Sequence, residues 1–214
     1  MIDLSAEIRT EVIRECVKRW ESEFDDSIYN KCLEAVKNAD LRNVASLKSE
    51  IRRFLFVWGR MGRVLGRVEY RNWESSLAEK IESNCRELEE LRMKDLECVN
   101  LDRYETVIKK CYESFKETVG PIAAVKVLHL ICPNFFPLWD NGIADAVRRE
   151  CEDEKVEEFS ASDYFRFVKN IQGFIKSYER VLTELVAKYK KRKLRILDEF
   201  LWWIVHRPLS LYLA

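Results

Sequence analysis

The run Phe136-Pro137-Leu138-Trp139-Asp140-Asn141-Gly142 sets a carboxylate at the end of an apolar, proline-stiffened loop, just before a helix-like stretch. An Asp there caps a helix by accepting backbone N–H bonds, and the positive end of the helix dipole favours its charge. The same carboxylate can activate a water or stabilise positive charge that develops on a reacting group. Both readings of Asp140 stand at this stage, cap alone or cap and catalyst.

The candidate anion contacts are cationic. Arg53, Arg60, Arg63, Arg67 and Arg71 fall within roughly 80° of arc over about 27 Å if residues 50–73 form one helix. Residues 51–75 carry six Arg against Glu69 and Glu74, a net charge of +4. A second cluster, Lys188 to Arg195, has six basic residues in eight, including Lys190, Lys191 and Arg192. Each is a phosphate-contact candidate or a solvated helix face. Seven cysteines without any Cys-x-x-Cys pair, and only two histidines (His129 and His206), give no zinc-ligand spacing, so no metal or other cofactor is expected. The cysteines are expected as buried free thiols, with disulfides as the alternative. His129 is expected as a hydrogen-bonded core or boundary histidine.

These residues must be positioned by helices. The 214-residue chain holds six Gly and four Pro, and 47% of it is hydrophobic, which fits long helices around a sizeable core. Three of the prolines and two of the glycines fall between Phe115 and Val147. That stretch is expected as a helix end, a tight turn at Val119-Gly120, a helix opened by Pro121 and closed near Cys132-Pro133, then a loop delivering Asp140 to a helix that runs to about Glu150. Elsewhere apolar residues recur at helical spacing, as in Ile8, Val12, Ile13, Cys16, Val17 and Trp20, or Leu77, Ile81, Cys85, Leu88 and Leu91. Breaks are expected at 38–40 and 96–102. Ser5, Ser46 or Ser49, and Ser160 or Ser162 are expected as helix caps, and residues 152–158 as an acidic solvated loop. Charges balance at 37 against 37, so no overall basicity points to nucleic acid. Abundant charge with a single Gln (Gln172) is a thermophile-like composition. No signal pattern or membrane-length apolar run appears, and a cytoplasmic chain with no membrane contact is expected.

The segment 115–147 resembles the helix-hairpin-helix DNA glycosylases, the superfamily of endonuclease III and the adenine-mismatch glycosylases. Val119-Gly120-Pro121-Ile122-Ala123-Ala124 matches the hairpin, and Phe136-Pro137-Leu138-Trp139-Asp140 matches the loop ending in the catalytic Asp. Asp140 lies twenty residues after Gly120, as in that pattern. The chain departs from it at Thr118 (the first hairpin Gly), at Ala123 (usually Thr) and at Ile122, where bifunctional members carry a Schiff-base Lys. The family's four-cysteine iron–sulfur loop is also absent, so lyase chemistry is not expected.

The resemblance implies an all-α, two-lobed helix-hairpin-helix glycosylase-like domain spanning 1–214. It implies double-stranded DNA as partner and monofunctional base excision with Asp140 as electrostatic stabiliser or general base. Val119, Gly120, Ile122 and Lys126 would grip phosphates, joined by Arg60, Arg63, Arg67, Lys190, Lys191 and Arg192, while Phe136 and Trp139 would line a pocket for an extruded base. Two alternatives stay open. One is a non-enzymatic nucleic-acid-binding module. The other is a helical interaction protein that pairs with a partner or its own twin through the apolar C-terminal helix, Phe200 to Leu213.

Overall fold

A computed structural model describes residues 8–148 and 159–207, with side chains throughout except at 68 and 146–148. Among the described residues the fold is all-α, without strands. The helices are α1 (Thr10–Glu23), α2 (Ser27–Val36), α3 (Lys48–Arg53), α4 (Gly62–Leu65), α5 (Trp73–Ser83) and α6 (Cys85–Arg92). They continue with α7 (Glu105–Val119), α8 (Pro121–Ile131), α9 (Asn141–Arg148), α10 (Ala161–Ser177), α11 (Glu179–Tyr189) and α12 (Lys193–His206). The chain divides into two compact units, residues 1–25 with 137–214, and residues 26–136. The cut falls after Phe136, inside the 115–147 stretch, so the hairpin belongs to the second unit and Asp140 to the first.

In the unit of residues 1–25 and 137–214, α12 packs on α1, α9 and α11. Its Leu194, Ile196, Leu197, Phe200, Leu201 and Trp203 are buried, as are Ile13, Cys16, Val17 and Trp20 of α1. Of the apolar residues expected to pair with a second copy, Phe200, Leu201 and Trp203 are buried in this unit and Trp202, Ile204 and Val205 are half-buried; residues 208–214 lie outside the described residues. Ser160 caps α10 through a full capping box with Asp163, the sequence device that starts this helix. The expected Ser5 cap and the acidic loop 152–158 lie outside the described residues.

Two cations of the Lys188–Arg195 run turn inward. The Arg195 guanidinium, 1% exposed, pairs with Asp198, sits 3.2 Å from Glu199 Oε1 and lies 4.7 Å over the Trp20 ring. Lys191 Nζ lies 2.6 Å from Glu199 and also pairs with Glu21. Glu199 is fully buried, so these two cations belong to an internal charge network, while Lys188 and Lys190 of the same run stay exposed.

In the unit of residues 26–136, α8 carries apolar residues nearly all round and is buried against α7, α2 and a five-residue π-helical turn, Phe54–Trp58. His129 of α8 is fully buried and satisfied at both nitrogens, Nδ1 2.7 Å from the Phe136 carbonyl and Nε2 2.7 Å from the Tyr29 hydroxyl. A carbonyl only accepts, so Nδ1 donates, and in the neutral ring Nε2 accepts from Tyr29.

The single helix expected over 50–73 does not form. The chain is helical to Arg53, widens into the π-turn, and breaks at Gly59-Arg60, where Arg60 takes φ +54°. Short turns at 62–65 and 68–70 follow before α5 begins at Trp73. The three glycines 59, 62 and 66 lower helix propensity where the arginine spacing favours it, and they prevail. A continuous arginine stripe is thereby lost. The caps expected at Ser46 or Ser49 are also absent: Leu47 precedes α3 and makes no side-chain cap bond.

Candidate functional site

Asp140 stands at the N-terminus of α9, half-exposed. Its Oδ1 accepts the Ile143 N–H at 2.8 Å, the bond of an N-cap, and its Oδ2 accepts from His206 Nε2 at 2.7 Å. The cap explains why a helix starts here. The His206 contact could not be read from sequence, since 66 residues separate the partners and α12 offers no ligand-like spacing around its last residue. The two side chains keep 29% (Asp140) and 36% (His206) of their surface open.

Gly142 makes the pairing possible. A Cβ on it would sit 2.7 Å from Val205 Cγ1 and 2.9 Å from His206 Cε1, so a larger residue would push the end of α12 away from α9. Trp202 supports the imidazole from the preceding turn, with ring centroids 5.0 Å apart. Because a carboxylate oxygen only accepts, Nε2 carries the proton toward Asp140, and Nδ1 has no partner among the described residues. The pair is thus a carboxylate–imidazole dyad open to solvent, able to bind and orient a water and to move its proton.

The two aromatics expected to form a base pocket are core residues. Phe136 is fully buried and edge-on to Phe135, with its carbonyl held by His129. Trp139, 2% exposed, packs on Tyr164 and Phe167, and the Tyr164 hydroxyl donates to the Pro137 carbonyl at 3.0 Å, fixing the loop that presents Asp140. These residues hold the carboxylate in place and leave no ring face for a flat ligand.

The hairpin itself is a single residue. Val119 ends α7, Gly120 takes φ +78° and ψ 165°, and Pro121 opens α8. That backbone region is open essentially to glycine alone, and a Cβ there would also lie 3.0 Å from the Tyr70 hydroxyl. Val119 is fully buried, while Ile122 is half-buried in the first turn of α8. Lys126 is not a free cation: its ammonium donates to the Gly59 carbonyl at 2.7 Å and lies 5.6 Å over the Trp58 ring, closing the π-turn.

Of the other predicted contacts, Arg60, Arg63 and Lys190 are exposed, Arg192 is half-buried ahead of α12, and Arg67 is exposed 3.8 Å from Glu69. Lys191 belongs to the internal network described above. Within the unit of residues 26–136 a cleft brings two of the expected arginines, Arg67 and Arg71, together with Arg52, which the expected arginine face omits. Among the described residues every cysteine is a free thiol, and no helix is long and apolar enough to cross a membrane. The chain matches no family model, no curated protein and no solved structure.

Proposed function

We propose that this chain binds DNA and hydrolyses an N-glycosidic bond, with the Asp140–His206 dyad as its reaction centre. The observation that carries the reading is the Asp140 carboxylate, half-exposed and fixed by two bonds at a helix N-terminus, in the sequence position that the glycosylase resemblance assigns to the catalytic Asp. In such a reaction the base leaves as the C–N bond breaks, and water adds at the same sugar carbon. Asp140 would stabilise the positive charge on the sugar or take the proton of the attacking water. His206, bound through Nε2, would orient Asp140 and offer Nδ1 to that proton.

The one-residue turn at Gly120 supports the DNA part of the reading. Helix α8 begins there, and although Gly120 and Ala123 are buried, half-buried Ile122 keeps a first-turn N–H at a helix N-terminus, which favours anions. Arg60, Arg63 and Arg67 supply exposed positive charge in the same unit.

One observation favours a second reading. Both Asp140 oxygens are already engaged by the chain, which suits a clamp tying α9 to α12 in a non-enzymatic nucleic-acid-binding module. The test is a panel of end-labelled duplexes bearing uracil, hypoxanthine, oxidised guanine, alkylated adenine or single mismatches, incubated with the protein and treated with hot alkali. The catalytic reading expects strand scission that falls about 10²-fold or more in Asp140→Asn and His206→Ala, the range for a lost acid–base group. Duplex binding without scission on any substrate supports the module.

A further inference from the structure

A cleft of about 530 Å³ opens within the unit of residues 26–136, lined among others by Arg52, Phe56, Arg67, Arg71, Asn72 and Ser75. Its size is that of a small-molecule site. Three guanidiniums line it against a single carboxylate, Glu74, which pairs with Arg52. The Arg67–Glu69 contact is an exposed pair at 3.8 Å, too weak to hold Arg67 from a better acceptor. Arg71 makes no ion pair or hydrogen bond among the described residues.

The cleft meets the start of α5. Asn72 precedes that helix without a side-chain cap bond, and the first backbone bond there runs from the Ser76 N–H to the Asn72 carbonyl. The N–H groups of Trp73, Glu74 and Ser75 therefore meet no acceptor among the described residues, at the end of an eleven-residue helix where the dipole favours negative charge. Beside it Phe56 stacks on Trp73 with centroids 6.1 Å apart, and the Arg52 guanidinium lies 4.9 Å from the Phe56 centroid.

The geometry points to a phosphate-binding cleft, in which Arg67, Arg71 and the first N–H groups of α5 take the oxygens of a phosphoryl group on a nucleotide or a nucleic-acid strand. Paired guanidiniums and free N–H groups match phosphate better than they match a carboxylate, because a phosphoryl group offers three acceptor oxygens in different directions. The inference does not depend on Asp140, which belongs to the other unit.

The full chain is titrated at low salt with inorganic pyrophosphate by calorimetry, and separately with a short labelled thymidine oligonucleotide by anisotropy. Arg71→Ala removes the unpaired guanidinium, and Ser75→Glu puts a carboxylate into the cleft while leaving every arginine in place. Both residues are exposed, and both variants should melt as the wild type does. Saturable binding of either probe that weakens about tenfold or more in both variants is the expected result, since each removes or repels a charge-assisted contact. Pyrophosphate behaving so identifies a small phosphorylated ligand, and the oligonucleotide alone behaving so identifies a strand. Absence of binding by both probes overturns the inference, as does binding that persists in either variant.

Discussion

Asp140 holds a helix end with one oxygen and an imidazole with the other, and single substitutions separate these jobs from chemistry. Asn keeps an acceptor for the Ile143 N–H, so Asp140→Asn should lose activity with little change in stability. Asp140→Ala removes the cap as well and should lower the unfolding free energy by about 1 kcal/mol in denaturant melts. Equal destabilisation by the two would contradict the cap assignment. The thiols are a separate residue-scale case. Burial pushes the Cys16 and Cys111 thiols up to about 12 and Cys32 to about 11, and raises Cys132 as well. Only thiolate reacts, so at pH 8 these four should resist alkylation in the native protein, while exposed Cys98 reacts first. Peptide mapping in a Cys151→Ser background checks the order, since Cys151 lies outside the described residues. The same shift sets a sign for stability. The native thiols hold their protons above the ordinary value of 9.0 and the unfolded ones release them there, so stability is intact below pH 9 and declines as pH rises toward 12.

At the scale of elements, close approach is set by glycines. Gly142→Ala should separate α9 from α12, break the Asp140–His206 bond and reduce activity while leaving the Ile143 cap; a crystal structure of the variant reads this directly. Gly120→Ala forces an alanine into a backbone region open almost only to glycine and should cost about 1–3 kcal/mol. Equilibrium melts measure it, and no loss would mean that the turn takes another conformation. Lys126→Met deletes the charged bond to the Gly59 carbonyl and should cost about 1–2 kcal/mol by the same measurement. The hairpin was legible in sequence because glycine and proline mark turns by their own backbone chemistry, and Val119-Gly120-Pro121 stands where the spacing put it. The 50–73 segment was misread because periodicity placed the arginines on one helical face. Tertiary packing of Phe54 and Leu55, with the glycine breaks, chose a π-turn and a kink there. His206 was invisible for a different reason: contacts between distant helices leave no trace in local spacing.

For the whole molecule, composition predicted helices and buried free thiols; among the described residues the fold is all-α and the thiols are free, but Cys98 is exposed and Cys85 half-buried. Charge counting was less informative, because it cannot tell an internal network from a basic face. Lys191 and Arg195 converge on buried Glu199. Glu199→Ala should destabilise the protein by about 3–5 kcal/mol, as expected when a buried charge loses its partner, and a loss below about 1 kcal/mol in denaturant melts would contradict the network. The measurement that tests the central claim most directly is base release from the lesion-bearing duplex panel by wild type and by Asp140→Asn at matched stability. The account predicts alkali-dependent scission of at least one duplex by the wild type and its loss in the Asn variant. Scission that survives Asp140→Asn, or duplex binding with no scission on any substrate, would contradict Asp140 as the reaction centre.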